Sequence, residues 1–152
     1  MRKILLMSLA LALALTVSFA YAAEKPGTAK EAMALVDKAI AYYKANGQDK
    51  AFAAFDDTKG QFVDRDLYIF VMDWNGTILA HGANKALINK PTWDLKDPDG
   101  KLFMREMVNV AKTKGKGWVD YKWTSPVTKK IGQKSSYVVR VGDLLIGCGI
   151  YK

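Results

Sequence analysis

Apolar and polar positions alternate in three different ways along this chain: a solid apolar block at the start, helical spacing next, and mostly period-two spacing at the end. Thr28 and Glu31 are spaced as a capping box, and behind them Met33, Val36, Ile40 and Tyr43 recur at helical intervals until Asn46-Gly47 closes the helix. A helix with one apolar stripe needs a surface to cover. A shorter helical stretch carries Phe52 and Phe55 and ends near Lys59-Gly60. Residues 67 to 73 form a compact run of aromatic and branched side chains. Asn75-Gly76 separates them from a second apolar run over 77 to 82, which predicts an antiparallel hairpin.

Residues 83 to 98 show no period and contain Pro91, Trp93 and Pro98, so they read as a long loop of the kind that often serves as a lid or binding loop. Asp97 or Asp99 can cap the next helix, whose face carries Phe103, Met107, Val110 and Ala111 before Gly115 stops it. After Gly117 the period becomes two: Val119, Tyr121 and Trp123 alternate with Trp118, Asp120 and Lys122. Ser125-Pro126 breaks that strand and a polar loop runs to Gly132. A strand over 135 to 141 then turns at Gly142-Asp143 into a last strand over 144 to 151. The sum is an α+β fold: a five-stranded, largely antiparallel sheet with a long N-terminal helix before it, a helix between strands two and three, and its helices on one face.

The apolar block changes the picture of where the chain works. Arg2 and Lys3 precede an apolar run over 4 to 19, and Ala20-Tyr21-Ala22 supplies a small-x-small site. This is the pattern of a secretory signal, residues 1–22, cleaved after Ala22 to leave one domain over 23–152 in the periplasm or outside the cell. The rival reading, an uncleaved membrane anchor, would call for a basic stop-transfer flank in place of the cleavage site. Losing Arg2 and Lys3 leaves 21 basic against 15 acidic residues, a net charge of +6. The basic residues are scattered, which argues against a nucleic-acid interface while still favouring anionic ligands.

Catalytic chemistry finds little support. Cys148 is the lone cysteine and sits between two glycines on an apolar strand, as a buried small hydrophobe would. Glycine-flanked serine elbows, metal-helix motifs and paired-cysteine sets are missing, and Asp97, Asp99 and Gly100 supply only part of a calcium loop. No cofactor or metal is expected. His81, the lone histidine, ends the second strand beside the long loop, and a neutral imidazole both donates and accepts. A structural role is the alternative. Lys134, at the start of the fourth strand, can supply the charge that a desolvated carboxylate requires, unless it is a solvated lysine like Lys129 and Lys130. Tyr121 and Tyr137 could offer hydroxyls, and Trp93, Trp118 and Trp123 could form apolar walls. Alternation sets Tyr121 and Trp123 on one face and Trp118 on the other, and Lys134 and Tyr137 also differ in parity.

The chain resembles the Cache domains, extracellular relatives of the PAS fold, and specifically the single-Cache type. The resemblance is carried by Tyr68-Ile69-Phe70-Val71-Met72-Asp73, Asn75-Gly76, Ala80-His81-Gly82, the stretch 97 to 100, Gly117-Trp118-Val119-Asp120-Tyr121, Lys134 with Tyr137, and Gly147-Cys148-Gly149-Ile150-Tyr151. It implies binding of a small molecule, a short carboxylate or an amino acid, between the sheet and the loops and helix that cover it. On that reading Tyr68 joins His81, Lys134, Tyr121, Tyr137 and the tryptophans as a candidate ligand contact. Relatives of this kind are the outer parts of receptors and kinases, whereas this sequence stops just after the last strand, so it is expected to act as a soluble Cache protein without its own transmembrane signalling module. The expected partners are the ligand and a membrane-bound receptor or kinase, with the protein a monomer or weak homodimer. A non-catalytic accessory subunit docking through the first helix is the alternative, and enzymatic turnover of a small acid by His81 is a further one.

Overall fold

The computed structural model describes residues 25–152; the expected secretory segment, residues 1–22, and its cleavage after Ala22 lie outside the described residues. Helices α1 (Ala29–Asn46) and α2 (Gln48–Phe55) lead into a short β1 (Val63–Asp64), then β2 (Leu67–Asp73) and β3 (Ile78–His81). Helix α3 (Phe103–Lys114) is followed by β4 (Lys116–Thr124), β5 (Ile131–Val141) and β6 (Leu144–Tyr151). All the strand pairings are antiparallel. The sheet runs β1-β2-β6-β5-β4, with β3 also on β2, so the last strand of the chain lies at the centre beside the first long one.

Local signals account for most of these elements. The Thr28 side chain accepts from the Glu31 backbone N–H, and Glu31 accepts from the Thr28 N–H at 2.7 Å, completing the capping box. Asp73 Oδ1 accepts from Asn75 N and Thr77 N at 2.9 and 2.8 Å and so shapes the β2–β3 turn, where Gly76 takes φ 80°. Gly142, at φ 60°, occupies the first central position of the two-residue β5–β6 turn. The cap expected of Asp97 or Asp99 is not made: α3 starts from Leu102 without a side-chain cap. Asp97 instead accepts from the backbone N–H groups of Asp99, Lys101 and Lys122, closing the turn before α3 and tying it to β4.

The helices lie on both faces of the sheet, where one face was expected. α1, α2 and the turn before β1 pack Val36, Ala39, Phe55 and Phe62 against Ile69, Tyr137, Ile146 and Cys148 on one side. The Phe55 and Phe62 rings meet edge to face at 4.7 Å, a contact that adds about 0.5–1.5 kcal/mol to their burial. On the other side α3 lays Phe103, Met104, Met107 and Ala111 over Phe70, Val119, Tyr121, Val138 and Leu145. A strand covered on both sides has no solvent face, which is why β2 is apolar almost throughout. The loop expected over 83 to 98 carries one 3₁₀ turn (Lys85–Leu87) and pairs Thr77 with Pro91, running along β3 and covering the α3 side of the sheet.

Candidate functional site

The α3 side of the sheet holds the chain's most unusual side chain. Lys134 on β5 is only 1% exposed. Its cross-strand neighbours are Tyr121 on β4 and Tyr151 on β6, so its stem is flanked by two tyrosines in one row of the sheet. The ammonium reaches beyond β6 to β2, donating to the Tyr68 hydroxyl at 2.5 Å and lying 4.1 Å from the centre of the Tyr68 ring and 5.0 Å from that of Tyr151. Among the described residues six ion pairs form, and none includes Lys134. A buried ion without a counter-charge is costly by several kcal/mol, so burial pushes the Lys134 pKa down to about 7, against upward pulls from Cys148 and Asp66.

His81 faces the same space from the end of β3. Its Nδ1 accepts from the backbone N–H groups of Asn84 at 2.9 Å and Ala83 at 3.2 Å, which places the ring proton on Nε2. Burial, and then the charge of Lys134, lower its pKa to about 3, so the ring is neutral at physiological pH and presents Nε2–H as a donor. The ring centres of His81 and Tyr68 are 4.9 Å apart. Tyr121 completes the polar set, its hydroxyl 2.9 Å from Ser136 Oγ and its ring stacked on Phe103 at 4.3 Å.

These groups line a cavity of about 10 Å³, with Phe70, Ile78, Met104 and Met107 as its apolar wall. That is room for about one water molecule. Tyr68, His81 and Trp123 also line a second, outer basin of about 370 Å³, bounded by residues 83–84 and by the β4–β5 hairpin tip with Ser125, Pro126 and Lys129. The polar groups therefore form the inner end of a site whose outer end opens to solvent.

Of the residues expected at a ligand site, the structure brings Lys134, His81, Tyr121, Tyr68 and Trp123 to this one place. Three lie elsewhere. Tyr137 and Trp118 point to the opposite face, where their rings pack 5.3 Å apart in the α1 layer, because their parity is opposite to that of Lys134 and Tyr121. Trp93 packs its backbone against Gly76 and lies under the Arg105 guanidinium, lining neither cavity. Cys148 is buried on the α1 side with its thiol pushed up to about 12 by burial. Ser136 and the methionines of α3 were missed. Ser136 could have been found by counting two positions on from Lys134, whereas the methionines carry no signal apart from core spacing. Among the described residues no three His, Cys, Asp or Glu side chains gather into a set that could hold a metal ion, and no helix is long and apolar enough to cross a membrane.

The family model for Single Cache domain 2 matches residues 12–152. Two characterised proteins align with part of the chain. The sensor histidine kinase MctS of Rhizobium johnstonii is 35% identical over 89 residues, 57% of this chain and 19% of that protein. The methyl-accepting chemotaxis protein McpP of Pseudomonas putida is 31% identical over 90 residues, 58% of this chain and 16% of that protein. The chain thus spans less than a fifth of either relative. Among solved structures, a Cache chemosensory domain described for its carboxylic acid recognition superposes with a TM-score of 0.67 at 26% identity, covering 80% of this chain and 91% of that domain.

Proposed function

Since the chain belongs to the single Cache domain family, a family of ligand-sensing modules, we propose that it binds the carboxylate of a short organic acid or amino acid in the Lys134 pocket. The observation that carries this reading is a lysine 1% exposed with no carboxylate partner among the described residues. A bound carboxylate supplies the missing counter-charge. It takes one charge-assisted hydrogen bond from Lys134 and further ones from His81 Nε2–H and the tyrosine hydroxyls, while the apolar wall covers its carbon chain. A recognised carboxylic acid in a domain of the same fold supports this ligand class.

A 10 Å³ cavity is too small for any acid, so binding includes a rearrangement. Met104 and Met107 are unbranched and adaptable, and Trp123 stands half-buried between the inner cavity and the outer basin. The empty and bound states then differ in the packing of α3 on the sheet, and a sensor needs such a difference. We further propose that residues 1–22 direct export, that the domain over 23–152 works in the periplasm as a soluble protein, and that a membrane-bound receptor or kinase reads its state. Export is supported by the sequence pattern alone.

A melting screen across short organic acids and amino acids tests the reading. A ligand at about a hundred times its Kd stabilises the native state by about 2.7 kcal/mol, so at least one acid should raise the melting temperature by several degrees. If no acid shifts it at millimolar concentration, the proposal fails.

A further inference from the structure

Taking the pocket as an anion site, we propose that Gly149 is a positioning residue for it: the missing side chain on β6 is the slot through which Lys134 reaches Tyr68. Lys134 stands on β5 and Tyr68 on β2, and β6 runs between them. Gly149 pairs with Ser136 in the β5–β6 ladder, and one step beyond the Ile69–Cys148 pair the β2–β6 ladder brings it opposite Tyr68. The stem of Lys134 therefore crosses the central strand at Gly149. A Cβ built there would overlap Lys134 Cε and Ser136 Oγ.

Backbone conformation does not explain this glycine. Five glycines of the described chain have positive φ, and Gly149 is not among them, so β6 would accept an ordinary side chain at this position. The atoms in the way belong to the ends of two side chains that converge on the site, apart from a closer-than-usual approach to the Ser135 carbonyl at 3.2 Å. Alanine at 149 would displace the ammonium before it displaced the strand. Ser136 shares the slot and holds the Tyr121 hydroxyl, so one added methyl group disturbs two of the ligand's donors together.

The test compares wild type, Gly149→Ala, Lys134→Ala and the double variant in melting temperature, and the first two also in acetate affinity and in the NMR titration of the Lys134 side chain. In Gly149→Ala the lysine should titrate closer to the ordinary lysine range, because its ammonium is pushed out of the buried slot, and acetate affinity should fall tenfold or more. Alanine at 149 should lower the melting temperature much less when Lys134 is already alanine, since the overlapping stem is gone. An equal loss in both backgrounds, or an unchanged Lys134 titration in a folded Gly149→Ala protein, would overturn the assignment. If wild type binds no acid at all, the anion reading fails on its own, while the melting comparison still decides whether Gly149 positions the lysine.

Discussion

The Lys134 ammonium and the Tyr68 hydroxyl lie 2.5 Å apart although their strands are not neighbours in the sheet. This contact stands where a counter-ion would otherwise be expected. A neutral phenol satisfies one donor of the ammonium but does not neutralise its charge, and burial also raises the Tyr68 pKa, so the phenol does not ionise to serve as one. The pocket therefore holds a buried ammonium whose charge an anion would neutralise.

Affinity should depend on pH through Lys134. Its pKa of about 7 in the empty protein lies below the ordinary value of 10.5, and a bound carboxylate restores the preference for the charged form. Between about pH 5 and 6.5 the ligand is ionised and finds a ready ammonium, so affinity is flat. Above pH 7 binding must take up a proton, and affinity falls by up to about tenfold per pH unit. Titration calorimetry in buffers of different ionisation enthalpy at pH 8 should register that uptake. Stability of the empty protein should move the other way: the unfolded chain keeps the lysine proton between about 7 and 10.5, so this group adds stability as pH rises through that window.

His81 should act as a neutral donor and not as a pH switch. With its pKa near 3 it contributes no titration between pH 5 and 8. Replacing it by Phe removes the Nε2–H donor and should weaken acid binding about five- to a hundredfold. The same change strands the backbone N–H groups of Ala83 and Asn84 and should destabilise the fold by about 1–3 kcal/mol. Binding and denaturation measurements on this variant separate the two effects; unaltered affinity in a folded protein would remove His81 from the site.

Tyr137→Phe serves as the opposite-face control. Its ring packs in the α1 layer, so affinity should stay within about twofold of wild type. A large loss would mean that the ligand sits on the α1 side.

Export should give a mature amino terminus at or near Ala23, because Ala20-Tyr21-Ala22 forms the processing site. Mass spectrometry of protein from the periplasmic fraction checks this, and a retained Met1 would contradict it.

The parts of the fold written in local chemistry were legible. Asn75-Gly76 and Gly142-Asp143 turn the chain as their composition demands, and strand parity alone separated Tyr121 and Trp123 from Trp118. Long-range placement was not. Nothing near Lys134 in the chain says that β6 will lie between β5 and β2, so neither its reach to Tyr68 nor the role of Gly149 could be read from spacing. The same holds for α3, whose apolar stripe required a surface without saying which face of the sheet would supply it. Asp97 was misread because an acidic residue before a helix usually caps it, whereas here three backbone N–H groups from a turn and from β4 compete for the same carboxylate.

The central claim is that Lys134 is the counter-charge for a ligand carboxylate, and isothermal titration of Lys134→Met beside Lys130→Met tests it most directly. Methionine keeps the apolar stem and removes the charge. Truncating one side of a buried charged pair costs about 2–5 kcal/mol, or about thirtyfold to several thousandfold in affinity for the best acid from the melting screen. The folded protein should be as stable as wild type or more so, since an uncompensated ammonium is no longer desolvated. Lys130, exposed on the β4–β5 hairpin, should lose almost nothing. Equal and small losses at the two positions would contradict the account, because Lys134 would then contribute no more to binding than a surface lysine.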